Sequence, residues 1–394
     1  MLNTQYNSDN NDDVGPKMPD SKSDIKIFIL YGDHRNYGGV VQFYLKLSKY
    51  IKASKYKIQH FRVGRLVHLR IYSITIFRMI DLAINYFRFT YRVIREKPCI
   101  IHLNPSLDKK SIYRDFGYAI LTKLCARRTK ILIHFRGWED RIANKLFRKS
   151  FLKGIIVNLL KRANLIIVQA TKFKKILDDL NVHSCEIVIM PTTVCMEEYE
   201  RFKTLKSDQN EIYILFMARL LRVKGVYDLV DSMRSIAQSN PNKTIKFIFA
   251  GDGNEKRKLE DYVFSQGLKD LVIFPGYLRG REKINLLLNA QIFILPSYDA
   301  EGCPNCVIEA MGAGLPVIAT RVGAVEEIIV DGLNGLLIES HSTEQIIDAV
   351  NRLVNDDVLR QKMGEMNKRK ARERFDAPII FRQLESIYDC MMMR

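Results

Sequence analysis

Two glutamates separated by seven residues, Glu301 and Glu309, stand in a segment that runs from Leu295 to Val317 and also holds Gly302, Cys303, Pro304 and Asn305. The apolar run ending at Leu295 reads as a strand. Glu301 then falls in a strand-to-helix loop and Glu309 on the following helix, so both side chains reach one crevice. Carboxylates accept hydrogen bonds from vicinal hydroxyls, which suits a pair that grips the ribose and the hexose of one ligand. Two cations, Arg219 and Lys224, also lie just after a strand and before a helix. Guanidinium and ammonium at a helix start meet a diphosphate where backbone amides also point outward. Taken singly, each set has a plain alternative: two solvated glutamates, or two surface cations.

Competing chemistry is thin. Cys303 and Cys306 have the spacing of a redox or half-zinc motif, but no second Cys/His pair accompanies them. No Asp-x-Asp occurs in the chain, which removes the usual carboxylate pair for a divalent cation on a nucleotide sugar, and Walker A spacing is absent. Gly251 and Gly253 follow a strand-like run, yet Lys256 occupies the place of the third glycine of a dinucleotide fingerprint, which argues against NAD.

The elements that must position these residues alternate. Ile25 to Leu30 reads as a buried strand, followed by a polar loop, Gly38 and Gly39, and a helix with Val40, Val41, Phe43, Tyr44 and Leu47 on its apolar positions. Strand-like runs recur at Cys99 to Leu103, Lys130 to Phe135, Leu165 to Val168 and Glu186 to Ile189. The polar run from Glu197 to Asn210 follows Pro191 and marks a domain boundary. A second unit then places strands at Ile212 to Met217, Ile245 to Ala250, Leu271 to Phe274, Gln291 to Leu295 and Pro316 to Thr320, with helices at Val226 to Gln238 and Glu282 to Leu288 between them. Alternation of this kind predicts an α/β fold with parallel sheets covered on both faces, and two such units leave a ligand crevice at the carboxyl ends of their strands.

Length and composition agree. A chain of 394 residues exceeds one ordinary core and fits two α/β domains, while 47% hydrophobic and 27% charged residues exclude disordered and fibrous classes. The stretch through Ser23 is rich in Asn, Asp, Ser and Pro and reads as a disordered tail. No basic start followed by an apolar core occurs in the opening residues, so export is not expected. The apolar region from Leu66 to Ile94 is broken by Arg70, Arg78, Asp81, Arg88 and Arg92, which argues against a spanning helix. Seven scattered cysteines fit reduced thiols in the cytoplasm.

The net charge of +18 calls for an anionic partner. Between Arg62 and Lys97, cations alternate with Tyr72, Phe77, Tyr86, Phe87, Phe89 and Tyr91, a mixture suited to the headgroup zone of an anionic membrane surface. The alternative is a solvated helix face whose aromatics fill the core. No zinc-finger spacing, RNA-binding aromatic signature or recognition helix supports nucleic acid.

The glutamate segment resembles the donor-site signature of retaining glycosyltransferases of family four, also called glycosyl transferases group 1. It reads Pro-Ser-x3-Glu-Gly-x-Pro-x4-Glu-Ala-Met-x-Ala-Gly-x-Pro-Val and continues into Ala319, Thr320, Val322, Gly323 and the pairs Asp331-Gly332 and Asn334-Gly335. The resemblance implies two facing Rossmann-like domains of GT-B type with a deep cleft. Residues 1–23 would be the tail, 24–200 the acceptor-binding domain, 201–374 the nucleotide-sugar domain, and 375–394 a helix packing back on the first. It implies that Glu309 holds the ribose hydroxyls, and that Glu301 with the backbone of Gly302, Cys303, Pro304 and Asn305 holds the donor sugar. Arg219 and Lys224 would hold the diphosphate, Gly251 and Gly253 would lie beside the nucleotide, and Tyr277 and Leu278 would line the base. Gly38 and Gly39 resemble the family's N-terminal glycine loop.

The catalytic region implied is Ile133 to Glu139, where many relatives have a histidine directly before Gly137; here that residue is Arg136, and His134 lies two earlier. If the strand persists, the two share a face and either reaches the donor sugar. The expected function is retaining glycosyl transfer from a nucleotide-diphosphate sugar, without an obligatory metal or cofactor. The expected acceptor is a lipid-linked saccharide of lipopolysaccharide, capsule or exopolysaccharide, handled in the cytoplasm at the inner face of the membrane. A non-catalytic nucleotide-sugar-binding relative, or an epimerase or phosphorylase of similar fold, is the rival.

Overall fold

Among the described residues, short runs rich in Ile, Leu, Val and Phe form twelve strands in two sheets, every pairing parallel. The computed structural model describes residues 25–32, 38–64, 75–106, 109–138, 150–182, 185–202, 211–298 and 302–393. Expectations placed on residues 1–23, Leu66, Arg70, Tyr72, Glu139, Glu301 and the boundary residues 203–210 fall outside them. The first sheet contains β1 (Lys26–Tyr31), β2 (Lys57–Arg62), β3 (Ile100–Leu103), β4 (Lys130–His134), β5 (Leu165–Val168) and β6 (Glu186–Ile189) in the order β2-β1-β3-β4-β5-β6. The second contains β7 (Glu211–Met217), β8 (Thr244–Ala250), β9 (Val272–Gly276), β10 (Ile292–Leu295), β11 (Val317–Thr320) and β12 (Gly335–Ile338) in the order β12-β11-β10-β7-β8-β9.

Crossover helices make the parallel pairing possible. Those of the first unit are α1 (Gly39–Lys52), α2 (Thr75–Glu96), α3 (Lys109–Cys125), α4 (Ser150–Lys161) and α5 (Thr171–Asp179), followed by the short α6 (Met196–Glu200). The second unit has α7 (Val226–Ser239), α8 (Lys256–Ser265), α9 (Gly280–Asn289), α10 (Asn305–Ala313), α11 (Val325–Ile328), α12 (Thr343–Asn355) and α13 (Asp357–Arg374), before the terminal α14 (Ala377–Met393).

The period of two along β1 divides its side chains between two cores. Phe28 and Leu30 pack with Phe89 and Val93 of α2 and Phe116 of α3. Ile27 and Ile29 pack with Tyr44 and Leu47 of α1 and with Ile380, Leu384 and Tyr388 of α14. The last helix of the chain therefore closes the face of the first sheet, and each large apolar side chain buried there contributes roughly 1.5–3 kcal/mol. Two strands lie beyond the runs expected from sequence. β2 is a half-exposed edge with Lys57, Gln59, His60 and Arg62, and β12 is the four-residue edge of the other sheet. β4 ends at His134, one residue short of the expected strand.

The loops after β7 and β10 are locked together. Tyr298 N donates to Val223 O at 2.8 Å, and Gly225 adopts φ +71° with its absent Cβ 1.9 Å from the Pro296 carbonyl oxygen. A side chain there would meet both a left-handed backbone and a rigid carbonyl. Gly225→Ala is expected to lower the stability by about 3 kcal/mol or more, measured by chemical denaturation. An unchanged midpoint would show that the two loops are not held in this register.

Candidate functional site

A cavity of about 980 Å³ lies between the carboxyl ends of the two sheets. From the first unit come Gly39 and Gln42 of α1, Ser106 after β3, and Arg136 to Trp138 after β4. From the second come Arg219 and Lys224 after β7, Gly251 after β8, Tyr277 and Leu278 after β9, and Gly302 to Glu309 after β10. Open α/β sheets bind ligands at this position because the loops there are free to vary while the strands hold their ends fixed.

Arg219 is exposed on the β7 loop, and Lys224 closes the short 3-10 turn Arg222–Lys224 immediately before α7. The β8 loop packs against this loop at backbone distance. An added Cβ at Gly251 would lie 1.9 Å from Ala218 O, and one at Gly253 would lie 2.2 Å from Leu220 O. Leu220 N also donates to Asp252 O at 3.0 Å. The cations are thereby presented on a braced loop rather than a free one.

Glu309 sits one turn into α10 and is 6% exposed. Its Oε1 accepts from Lys46 Nζ of α1 at 2.8 Å and from Lys283 Nζ of α9 at 2.9 Å. Lys46 Nζ also donates to Thr193 O at 2.9 Å. Burial pushes the Glu309 carboxyl up, but the charges and hydrogen bonds of the two lysines outweigh it and hold the group at about 2. The glutamate is therefore ionised throughout the physiological range, and both lysines donate to Oε1 rather than Oε2. Burial lowers the Lys46 ammonium against the pull of Glu309.

Arg136 follows β4 by two residues. Its guanidinium carbon lies 3.7 Å above the Phe43 ring centre, Nη2 donates to Thr192 Oγ1 at 3.1 Å, and Nη1 faces His134 Nε2 at 3.4 Å. Thr192 Oγ1 in turn donates to Asn305 Oδ1, which ties the first unit to the start of α10. His134 is fully buried, stacked on His102 with ring centres 5.5 Å apart. Burial first, then Arg136 and His102, lowers its pKa well below the usual imidazole value. Facing a guanidinium, Nε2 must be the acceptor, so the proton sits on Nδ1, which has no partner. Below it, His102 Nδ1 meets Tyr388 Oη at 2.8 Å and Tyr44 Oη donates to Asn104 Oδ1 at 2.7 Å.

Residues 197–370 match the profile of the family described as Glycosyl transferases group 1. The match covers less than half of the chain. The Staphylococcus aureus capsular polysaccharide biosynthesis glycosyltransferase CapM is 26% identical over 195 residues, 49% of this chain and 49% of CapM. The chain thus spans about half the length of the curated relatives it matches, two archaeal and bacterial examples giving 48% and 49%. Sucrose-phosphate synthase from Thermosynechococcus elongatus superposes with a TM-score of 0.75 at 18% identity, covering 94% of this chain and 99% of that one. Anabaena HepE in complex with UDP-glucose superposes with a TM-score of 0.71 at 19% identity, covering 93% and 100%. The fold is that of GT-B glycosyltransferases.

Within this GT-B fold, the cavity gathers Gly39, Arg136, Arg219, Lys224, Gly251, Tyr277, Leu278, Gly302, Cys303, Pro304, Asn305 and Glu309 from among the residues singled out by sequence. It does not gather three. Gly38 precedes α1 outside the lining, and Gly253 makes room for the Leu220 carbonyl instead of a ligand. His134 lies beneath Arg136: parallel pairing continues past β4 through Arg136 N to Pro105 O and the Ser106–Gly137 bridge, the two side chains meet on one face at 3.4 Å, and Arg136 covers His134 from the cleft. Lys46, Lys283 and Thr192 escaped the sequence reading. Their one available signal was position: Lys46 continues the stripe of Gly39 and Gln42 along α1, and Lys283 follows Tyr277 by less than two helical turns.

Proposed function

We propose that this protein is a retaining glycosyltransferase that moves a sugar from a nucleotide-diphosphate donor to a saccharide acceptor. The observation that carries the reading is the convergence of Arg219, Lys224, the start of α10 and the ionised Glu309 on one cleft between two domains. Ribose hydroxyls bind Glu309, the base rests near Tyr277 and Leu278, the diphosphate meets Arg219 and Lys224, and the sugar lies against residues 302–305 beside Glu301. As the glycosidic bond to the diphosphate breaks, charge grows on the leaving phosphate where these cations and helix amides already point. That phosphate takes the acceptor proton, so no separate side-chain base is required, and no obligatory metal is invoked because the two side-chain cations stand at the diphosphate. Nucleotide release from a donor panel, with the product's anomeric configuration read by NMR, tests this. Release with inversion would remove the retaining mechanism.

The burial of His134 favours one alternative, a nucleotide-sugar-binding relative without turnover. Binding without release under any acceptor condition would support it.

The acceptor is proposed to be lipid-linked, in lipopolysaccharide, capsule or exopolysaccharide assembly on the cytoplasmic side. No helix among the described residues is long and apolar enough to cross a membrane. Yet among its described side chains α2 buries the stripe Asp81, Asn85, Phe89 and Val93, and leaves Phe87 75% exposed with Tyr91 and Ile94 each at 54% beside Arg88 and Arg95. Exposed apolar groups of this size among arginines fit the headgroup zone of an anionic leaflet. Vesicles containing anionic lipid should co-sediment the protein while neutral vesicles do not, and Phe87→Ser with Tyr91→Ser should weaken the association about tenfold or more. Equal recovery on neutral and anionic vesicles would contradict this.

A further inference from the structure

Among the described residues of the cleft, Lys46 and Lys283 share the Glu309 carboxylate, and Arg219 is exposed. Arg136 is half-buried and has no carboxylate among its partners. Its partners are the neutral Thr192 hydroxyl, the neutral His134 imidazole and the Phe43 ring, and its Nε is buried without a partner. Burial brings the guanidinium down to about 10, with only distant Tyr44 and Cys303 acting in the other direction. Holding an uncompensated cation at the floor of a cavity is costly, and the cost is relieved when a ligand brings the counter-charge.

The diphosphate already has Arg219, Lys224 and the braced loop after β7. Arg136 comes from the other domain and is apposed to the opposite segment. Through Thr192 it is linked to Asn305, and the neighbouring residues Gly137 and Trp138 abut Gly302, where an added Cβ would be in ordinary contact with Trp138 N at 3.4 Å and Gly137 Cα at 3.7 Å and would meet Gln169 Oε1 at 2.7 Å. Neutral hydroxyls at this point would be served by a neutral side chain, whereas a planar guanidinium matches a carboxylate fork to fork.

We propose that Arg136 receives a carboxylate on the donor sugar, so that the donor is a nucleotide-activated hexuronate rather than a neutral hexose. The assignment rests on the reading of the cleft as a nucleotide-sugar site. It is tested by calorimetric titration of the full chain with matched pairs, UDP-glucuronate against UDP-glucose, UDP-galacturonate against UDP-galactose and GDP-mannuronate against GDP-mannose, together with free UDP and GDP. The acidic member of one pair should bind about tenfold or more tighter than its neutral partner. Arg136→Gln should erase that preference while leaving free nucleotide affinity within about twofold, and Arg136→Lys should restore part of it. Thermal melting of both variants checks that they fold. Should Arg136→Gln unfold the protein, the preference measured on the intact chain and on Arg136→Lys still decides the matter. Equal or tighter binding of every neutral member would overturn the proposal. So would an equal loss of free UDP or GDP affinity in Arg136→Gln, which would place the guanidinium on the diphosphate. If no nucleotide binds, free or sugar-linked, the glycosyltransferase reading itself fails and the proposal with it.

Discussion

Arg219→Ala and Lys224→Ala are each expected to reduce turnover by a factor on the order of 10²–10³, with the melting temperature close to that of the intact protein. The two side chains reach the cleft from a loop whose shape is fixed by backbone contacts, Gly251 on Ala218, Gly253 on Leu220 and Gly225 on Pro296, none of which involves either side chain. Removing a cation from this loop therefore takes away charge at the leaving diphosphate without loosening the scaffold. Because that charge is largest in the transition state, kcat should fall more than KM rises. Near-normal turnover in both variants, measured as nucleotide release at saturating donor, would remove the leaving-group role assigned to them.

Glu309→Gln is expected to cost on the order of 3 kcal/mol at neutral pH, because the neutral amide leaves Lys46 and Lys283 buried together with only the weaker pull of Glu198. The pH dependence has a definite sign. Glu309 has a folded pKa of about 2 against an ordinary 4.5, so its contribution is fully present above pH 4.5 and is lost as pH falls toward 2. The stability gap between the intact protein and the variant should narrow over that interval, read from denaturant midpoints at neutral pH and near pH 3. A gap of constant size would mean that the carboxylate is not held by the two lysines. The pair also joins α1 of the first unit to α10 of the second, so the variant should loosen the closed cleft as well as the local packing.

The sheets were legible because most strands are continuous apolar runs, as strands buried on both faces must be. β2 was not, since Lys57, Gln59, His60 and Arg62 give it the composition of a loop and its place at the sheet edge leaves them half in water. β12 hid for a different reason: four residues after a glycine turn carry too little periodicity to separate strand from connection. At the site, the spacing of Glu309, Arg219 and Lys224 relative to predicted strand ends placed all three in one cleft. The lysines that charge-balance Glu309 come from elements distant in sequence, Lys46 by 263 residues, and no local pattern reports such a partner. His134 and Arg136 share a face, as the period of two requires, since pairing continues past β4 to Gly137; what the period does not report is depth, and the longer Arg136 side chain lines the cavity while the imidazole is buried under it.

The most direct test of the donor site is saturation-transfer NMR with UDP-, GDP- and ADP-sugars on the intact protein and on Glu309→Gln. Binding by sugars of one nucleotide, weakened about tenfold or more in the variant, is the predicted result. Absence of binding across the panel, or equal binding by the two proteins, would contradict the account.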